Sequence, residues 1–260
     1  MLSIRPLTVT VALLLGLPML SASTTAGAAV PSAPAHPPVT RHVMRLAAPL
    51  AVPPPRPAAA VRPSAPRPPV LRKTTWTDAV ALTFDDGPDP RWTPQVLAML
   101  RQHKVKATFC LVGNQVRRYP GLVRQIVKEG HTVCNHTMSH DEHLRQKSSQ
   151  RIAADLAQTS ALIRKAGGVT PRFFRAPGGN WSSRVIAVAA SQHMQALHWT
   201  VDPQDWRRPP AARIIATVKN STRPGSIILE HDAGGNRSHT MTAMRALLPY
   251  LAARYRLIAL

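Results

Sequence analysis

Five short stretches of the chain gather residue types that perform acid–base or metal chemistry. The first, Thr83-Phe84-Asp85-Asp86-Gly87-Pro88, ends in two adjacent carboxylates and a Gly-Pro pair that turns the chain at once. Neighbouring carboxylates at a strand end point in different directions, so one can hold a divalent cation while the other accepts a proton. The second, Asn135-His136-Thr137-Met138-Ser139-His140, spaces two histidines at i and i+4. On a helical turn such a pair shares one face and converges on one metal. With one Asp it forms a His-His-Asp set that leaves positions open for water and substrate, as catalytic zinc requires. His143 sits nearby but out of register, and is expected to face solvent. The third stretch is Arg175-Ala176-Pro177-Gly178-Gly179-Asn180-Trp181. Its arginine can keep a carboxylate ionised through a bidentate contact, and its glycines allow a backbone N–H to approach a ligand. The fourth, Asp202-Pro203-Gln204-Asp205-Trp206, puts an Asp beside a Trp, where a buried carboxylate needs a cationic or histidine partner. The fifth, Ile227-Ile228-Leu229-Glu230-His231-Asp232, is an apolar run that delivers a histidine at its end. A carboxylate near that histidine would raise its pKa and hold it protonated as a general acid. Singly, these stretches also read as a turn, a surface histidine pair and ordinary strand-to-helix loops.

The elements around them decide between those readings. Short apolar runs predict strands at Ala79–Phe84, Val105–Val112, His131–Asn135, Arg172–Arg175, Gln195–Thr200, Ser226–Glu230 and Arg256–Ala259. Helical spacing of apolar residues predicts helices at Thr93–His103, Pro120–Glu129 and Ser149–Ala166, then near 183–192, 210–221 and 239–253. About seven strand–helix units argue for parallel strands closed or nearly closed into a barrel, with functional residues just past the strand C-termini. All five polar stretches fall there.

The N-terminal part has a different character. Thirteen of the 26 prolines lie between Pro31 and Pro69, and eight basic residues precede the first acidic one, Asp78. Residues 1–28 carry Arg5, an apolar run from Leu7 to Leu20 and an Ala26-Gly27-Ala28 cleavage site, the pattern of a signal peptide. A run of about 14 apolar residues is short for a membrane span, which takes roughly 20; an uncleaved anchor is the alternative. Residues 29–75, rich in Pro, Ala and Arg, are expected to form an extended linker, and residues 76–260 the folded domain. The basic arm is expected either to associate with anionic cell-wall polymer or to act as a soluble spacer. Lys and Arg total 33 against 12 acidic residues, a net charge of +21, but the basic residues form no nucleic-acid motif. Composition excludes a disulfide-rich mini-protein, a multi-span membrane protein and a coiled coil.

Taken in order, the five stretches resemble the motifs of the polysaccharide deacetylase family, the NodB homology domain of carbohydrate esterase family four, across residues 76–260. Thr83-to-Pro88 and His136-to-His140 carry the most specific part of that resemblance. It implies a distorted (β/α)7 barrel and a hydrolase that removes N-acetyl groups from a β-1,4-linked N-acetylglucosamine polymer, peptidoglycan or chitin-type oligosaccharide. With the signal-peptide pattern, the protein is expected to be secreted or wall-associated, and a monomer. By the same resemblance Asp85 is the general base and Asp86, His136 and His140 hold one divalent metal, Zn²⁺ or alternatively Co²⁺ or another divalent ion. Arg175 orients the base, and His231 is the general acid with Asp205 as its partner. Gly178, Trp181, Trp206 and Leu229 line the substrate, Leu229 in the pocket for the acetyl methyl. O-acetyl hydrolysis on xylan and non-catalytic sugar binding are the alternatives. Two residues depart from the pattern: Gly178 stands where many members have Tyr, and Glu230 where an apolar residue is usual. A wall-facing Glu230 needs an arginine partner; a cleft-facing one would alter the acid.

Cys110 and Cys134 are the two cysteines, and they fall on strands expected to be neighbours. Export to an oxidising compartment and a strand spacing of about 4.8 Å predict that they pair, the alternative being two buried thiols.

Overall fold

Period-two alternation along the strands determines which residues face the centre of the domain and which face the helices around it. The structure, a computed structural model, describes residues 70–260; the expected signal peptide and nearly all of the expected linker lie outside the described residues. Seven strands run as β1 (Val80–Asp85), β2 (Thr108–Leu111), β3 (Thr132–Asn135), β4 (Phe173–Phe174), β5 (Gln195–Ala196), β6 (Ile227–His231) and β7 (Leu257–Ile258). The helices between them are α1 (Thr93–Gln102), α2 (Gly113–Arg118), α3 (Pro120–Lys128), α4 (Ser149–Gly167), α5 (Ser183–Ser191), α6 (Ala211–Ser221) and α7 (Ser238–Ala252). Every strand pair is parallel, in the order β5-β4-β3-β2-β1-β6, with β7 added to β1. The sheet curls until Val201, beyond β5, bridges Ile228 of β6, with Leu229 N–H donating to the Val201 carbonyl at 2.9 Å. This is the expected α/β barrel in distorted form, closed by a bridge rather than by a ladder.

Val80, Leu82 and Phe84 of β1, Phe109 and Leu111 of β2 and Ile228 of β6 point outward and pack with Leu100, Ile126, Ile214, Met244 and Leu247. Phe84 and Phe109 stack with ring centroids 5.3 Å apart. The inward set is smaller: Ala81, Cys110, Cys134, Phe173, Leu197 and Ile227 fill the barrel. Continuing that inward alternation places Asp85 and His231 at the C-terminal rim, directly opposite each other in register.

Several elements differ from the sequence expectation: the strands predicted over Val105–Val112, Arg172–Arg175 and Arg256–Ala259 form only over Thr108–Leu111, Phe173–Phe174 and Leu257–Ile258. The strand predicted over Gln195–Thr200 keeps ladder pairing for two residues only, because the chain changes partners. Leu197 bridges Arg72, His198 N–H donates to the Arg72 carbonyl, and Val201 then reaches β6. Residues of the expected linker are therefore part of the sheet, and Thr74 likewise bridges Ser226. Helix α2 was not expected; its sequence, GNQVRR, has one apolar residue, and its first N–H groups bond to the carbonyls of Thr137 and Met138.

Cys110 and Cys134 are register partners on β2 and β3, with Cα atoms 4.2 Å apart, and are joined as a disulfide inside the barrel. The bridge braces the strand that leads into His136. Closing a loop of sequence separation 24 stabilises by about 3 kcal/mol in the chain-entropy picture. A Cys110→Ala/Cys134→Ala double variant is expected to lose about that much in denaturant unfolding. An unchanged midpoint and slope would show that the bridge contributes nothing.

Candidate active site

The rim gathers all five polar stretches around one cleft of about 410 Å³, whose lining includes Asp85, Asp86, His136, His140, Gly178, Trp206, Leu229 and His231. Asp85, Leu229 and His231 point inward from β1 and β6, and the others lie on the loops that follow β1, β3, β4 and β5.

Asp85 closes β1 and is almost fully buried. Its Oδ1 accepts from Arg175 at 2.7 Å. The contact is single rather than bidentate. The rest of the guanidinium donates to Thr83 Oγ1 (2.8 Å) and to the carbonyls of Leu197 (3.3 Å) and His198 (3.1 Å). Arg175 has no exposed surface, so these partners are what make a buried cation tolerable. They also leave Asp85 Oδ2 unclaimed by the arginine, 3.7 Å from His136 Nε2.

Asp86 takes a left-handed backbone, φ 74°. Its Oδ1 lies 3.2 Å from His140 Nε2 and 3.6 Å from His136 Nε2. The sequence placed these histidines on one face of a helical turn. The segment is instead an irregular turn, with Thr137 at φ 64° and His140 at φ 58°. Side chains take the N–H groups a helix would have used: Asn135 Oδ1 accepts from Thr137, Asp155 from Met138 and Thr137 Oγ1 from Asp141. The imidazoles still converge, with centroids 5.1 Å apart. Asn135, which sequence reasoning passed over, ties the turn down by donating to Leu156 O and Ser160 Oγ on α4.

The donor atoms of Asp86, His136 and His140 lie within 4.8 Å of one another. The set fits a divalent cation on two further grounds. Asp86 Oδ1 is buried without a hydrogen-bond partner. His136 Nδ1 is engaged at 2.8 Å by the Arg175 carbonyl, which fixes the tautomer and presents Nε2 to the site. Burial opposes ionisation of Asp86, but the His136, His231 and His140 imidazoles outweigh it and hold its pKa well below the usual range.

His231 ends β6 opposite Asp85. Its Nδ1 donates to Asp205 Oδ1 at 2.6 Å, and its backbone N–H donates to Asp205 Oδ2 at 3.0 Å. Thr240 Oγ1 adds a third bond to that carboxylate at 2.9 Å. The partner expected for a buried Asp205 is therefore His231. Burial alone would lower the His231 pKa; Asp205, with Asp86 and Asp85 beyond it, pushes it up to about 9.

Of the residues expected on the substrate, Leu229, Gly178 and Trp206 line the cleft, Trp206 as an exposed indole beneath the Arg207 guanidinium. Trp181 does not. It packs edge-on against Phe174 on the helix side of the sheet, with the α4–α5 cluster. Trp199, Asn180, Asp202 and Glu142 line the cleft instead. Trp199 follows β5 as Arg175 follows β4, and its place past a strand end was the signal available for it. Gly178 sits at φ 60°, and a Cβ there would meet Asn180 Nδ2 at 2.8 Å. The Asn180 amide occupies the space beside the backbone where a side chain would project. His143 is exposed, as expected.

Comparison with known proteins follows this geometry. The family described as polysaccharide deacetylase matches residues 72–197, a span that includes Asp85, Asp86, His136, His140 and Arg175. A chitooligosaccharide deacetylase of Bradyrhizobium sp. (strain ANU 289) is 40% identical over 68% of this chain and 86% of its own length. The solved peptidoglycan N-acetylglucosamine deacetylase Bc1960 is 34% identical over 71% of this chain and 86% of that one, with a TM-score of 0.68. BA3943 of Bacillus anthracis, described as a pseudoenzyme of carbohydrate esterase family four, superposes with the same TM-score at 29% identity over 74% and 67% of the two chains. Fold likeness thus extends to a protein described as lacking activity, and the site must carry the functional argument. By motif order, fold and the extent of these matches, the chain belongs to the polysaccharide deacetylase family.

Proposed function

We propose that this chain hydrolyses the N-acetyl groups of a β-1,4-linked N-acetylglucosamine polymer, of peptidoglycan or chitin type, with a divalent metal at Asp86, His136 and His140. One observation carries the reading: the cation-binding triad, a buried carboxylate held by Arg175 and a histidine held by Asp205 all meet in one cleft. The relatives named as deacetylases of chitooligosaccharide and of peptidoglycan N-acetylglucosamine support the substrate class.

A metal on this triad, zinc being the natural candidate for two imidazoles and a carboxylate, would polarise the amide carbonyl and acidify a water. The remaining work belongs to the chain. Asp85, oriented through Oδ1 by Arg175, takes the proton of the attacking water on Oδ2. His231 reaches the amide protonated, because Nδ1–H is committed to Asp205 and the pKa is about 9. It gives the Nε2 proton to the departing amine, which leaves as the free glucosamine nitrogen. Leu229 supplies an apolar wall beside the reacting group, suited to the acetyl methyl.

The acid's environment fixes a pH dependence. His231 must be protonated to donate, so kcat/KM should fall as pH rises through about 9. Asp205→Asn removes the charge that holds the imidazole protonated and leaves its burial. The alkaline limb should then move down toward the ordinary histidine value of about 6.5 or below it. A limb that stayed in place would mean that another group is the acid. The substrate class is tested by acetate release from peptidoglycan, chitooligosaccharides and acetylxylan side by side. The reading expects the first two to far exceed the third, and preference for acetylxylan would make the chain an ester hydrolase.

The expected export and the role of residues 29–75 remain part of this proposal. The Cys110–Cys134 disulfide supports an oxidising compartment.

A further inference from the structure

The guanidinium of Arg175 is held partly by two carbonyls that lie past the end of β5, those of Leu197 and His198, at 3.3 and 3.1 Å. The β5 ladder has stopped at Ala196, so these residues need support from elsewhere. On the β4 side, Leu197 N–H donates to the Phe174 carbonyl at 2.8 Å. The His198 side chain adds nothing, since its Nδ1 is buried without a hydrogen-bond partner. The open side is taken by the segment ahead of β1. Arg72 N–H donates to the Ala196 carbonyl at 2.8 Å, and His198 N–H donates to the Arg72 carbonyl at 2.7 Å. The Leu197 carbonyl and the His198 N–H belong to one planar trans peptide and point opposite ways. Arg72 therefore holds one end of that peptide and Arg175 the other.

The same segment fills the seam between β5 and β6. Arg72 bridges Leu197, Thr74 bridges Ser226, and Thr75 N–H donates to the Gly225 carbonyl at 2.9 Å. Thr75 is buried and donates its hydroxyl to the Ala79 carbonyl at 2.8 Å, which ties the segment to the entry of β1. The Arg72 side chain folds the segment onto itself. Its Nε donates to the Thr74 carbonyl and its Nη2 to the Thr75 carbonyl, each at 3.0 Å, a use of two donors in a fixed fork that only arginine provides. The guanidinium lies 4.6 Å from the Trp76 ring centroid and 5.5 Å from that of Phe173 on β4. Trp76, otherwise an exposed indole, thus covers this fork.

We propose that Arg72 is a positioning residue for the catalytic base: it pins the Leu197–His198 peptide from the seam side, so that this peptide holds the Arg175 guanidinium in line with Asp85 Oδ1. This rests on the assignment of Asp85 as the base. Arg72 is not among the residues that line the cleft, so replacing it leaves the substrate contacts and the cation-binding triad in place. With the pin loosened, the carbonyls past β5 shift and Arg175 follows them. Asp85 Oδ2 then meets the attacking water at a poorer angle.

The test is a double-mutant cycle in the full chain. For each member, kcat and KM on a chitooligosaccharide, bound zinc and the circular dichroism spectrum are measured well below the melting transition. Arg72→Ala removes the fork and keeps the backbone bonds. It should lower kcat by roughly 3- to 30-fold, less than the about 10²-fold that a misplacement of about 1 Å costs. KM, zinc content and the spectrum should not change. In an Asp85→Asn background the same substitution should cost nothing further, because the step it serves is already gone. In an Asp205→Asn background, where the base is intact, it should cost the full factor again. Arg72→Pro, which also removes the N–H given to Ala196, should lose more than Arg72→Ala and depend on Asp85 in the same way. An equal loss in all three backgrounds would make Arg72 a general support of the fold, and the proposal would be wrong. Unchanged kcat in Arg72→Ala would overturn it as well. Full activity in Asp85→Asn alone would overturn the assignment of the base and this role with it, a separate failure read from a different member of the cycle.

Discussion

Asp85→Asn is expected to lower acetate release by roughly 10²–10⁴-fold, the range for removing a positioned general base, while the protein still binds one metal ion. The side chain keeps its size and can still accept from Arg175, but the amide cannot take a proton from water. Arg175 is wholly buried, and loss of the charge it pairs with will also reduce stability. The guanidinium keeps Thr83, Leu197 and His198 as partners, so the fold should survive at moderate temperature. Metal content separates the two effects. Metal lost along with activity would place Asp85 among the ligands, and full activity with Asn would remove it from the chemistry.

His140→Ala should have an effect of comparable size by a different route. The side chain is about one-third exposed and its charged neighbours are Asp86 and Glu142, so little of the fold depends on it. Removing it leaves two protein ligands. Altering an outer partner of a metal ligand already costs about 10–100-fold in affinity or activity, and removing the ligand should exceed that. Bound metal and turnover should fall together, with an unchanged circular dichroism spectrum. His136 would be a poorer probe, being buried and bonded to the Arg175 carbonyl. Stoichiometric metal and full turnover in His140→Ala would remove it from the site.

Much of this site was legible in the sequence because it is built from strand ends. An apolar alternating run followed by polar residues is a local signal, and it located Asp85, Arg175 and His231 without knowledge of which strands pair. What was not legible depends on distant partners. The early end of β5 comes from Arg72, more than a hundred positions away, competing for its backbone. The His136–His140 spacing suggested a helix, but the side chains of Asn135 and Asp155 redirect the backbone into a left-handed turn. Trp181 was expected on the substrate by resemblance, yet it packs edge-on against Phe174 on the helix side of the sheet. For Glu230, alternation gave the direction of the side chain, away from the cleft, but not that Arg237 spends its guanidinium on the carbonyls of Ala233, Asp205 and Gly234 instead.

The central claim is that the triad, base and acid together cleave an N-acetyl group, and its most direct test is stoichiometric. The full chain is incubated with a chitooligosaccharide and with peptidoglycan glycan, and released acetate is counted against newly formed free amines. This is done before chelation, after it, and after a divalent ion is restored. The account predicts one amine for each acetate, loss of both on chelation and recovery of both with the ion. Acetate release that persisted undiminished after the metal was shown to be gone, or no release from either polymer by the metal-loaded chain, would contradict it.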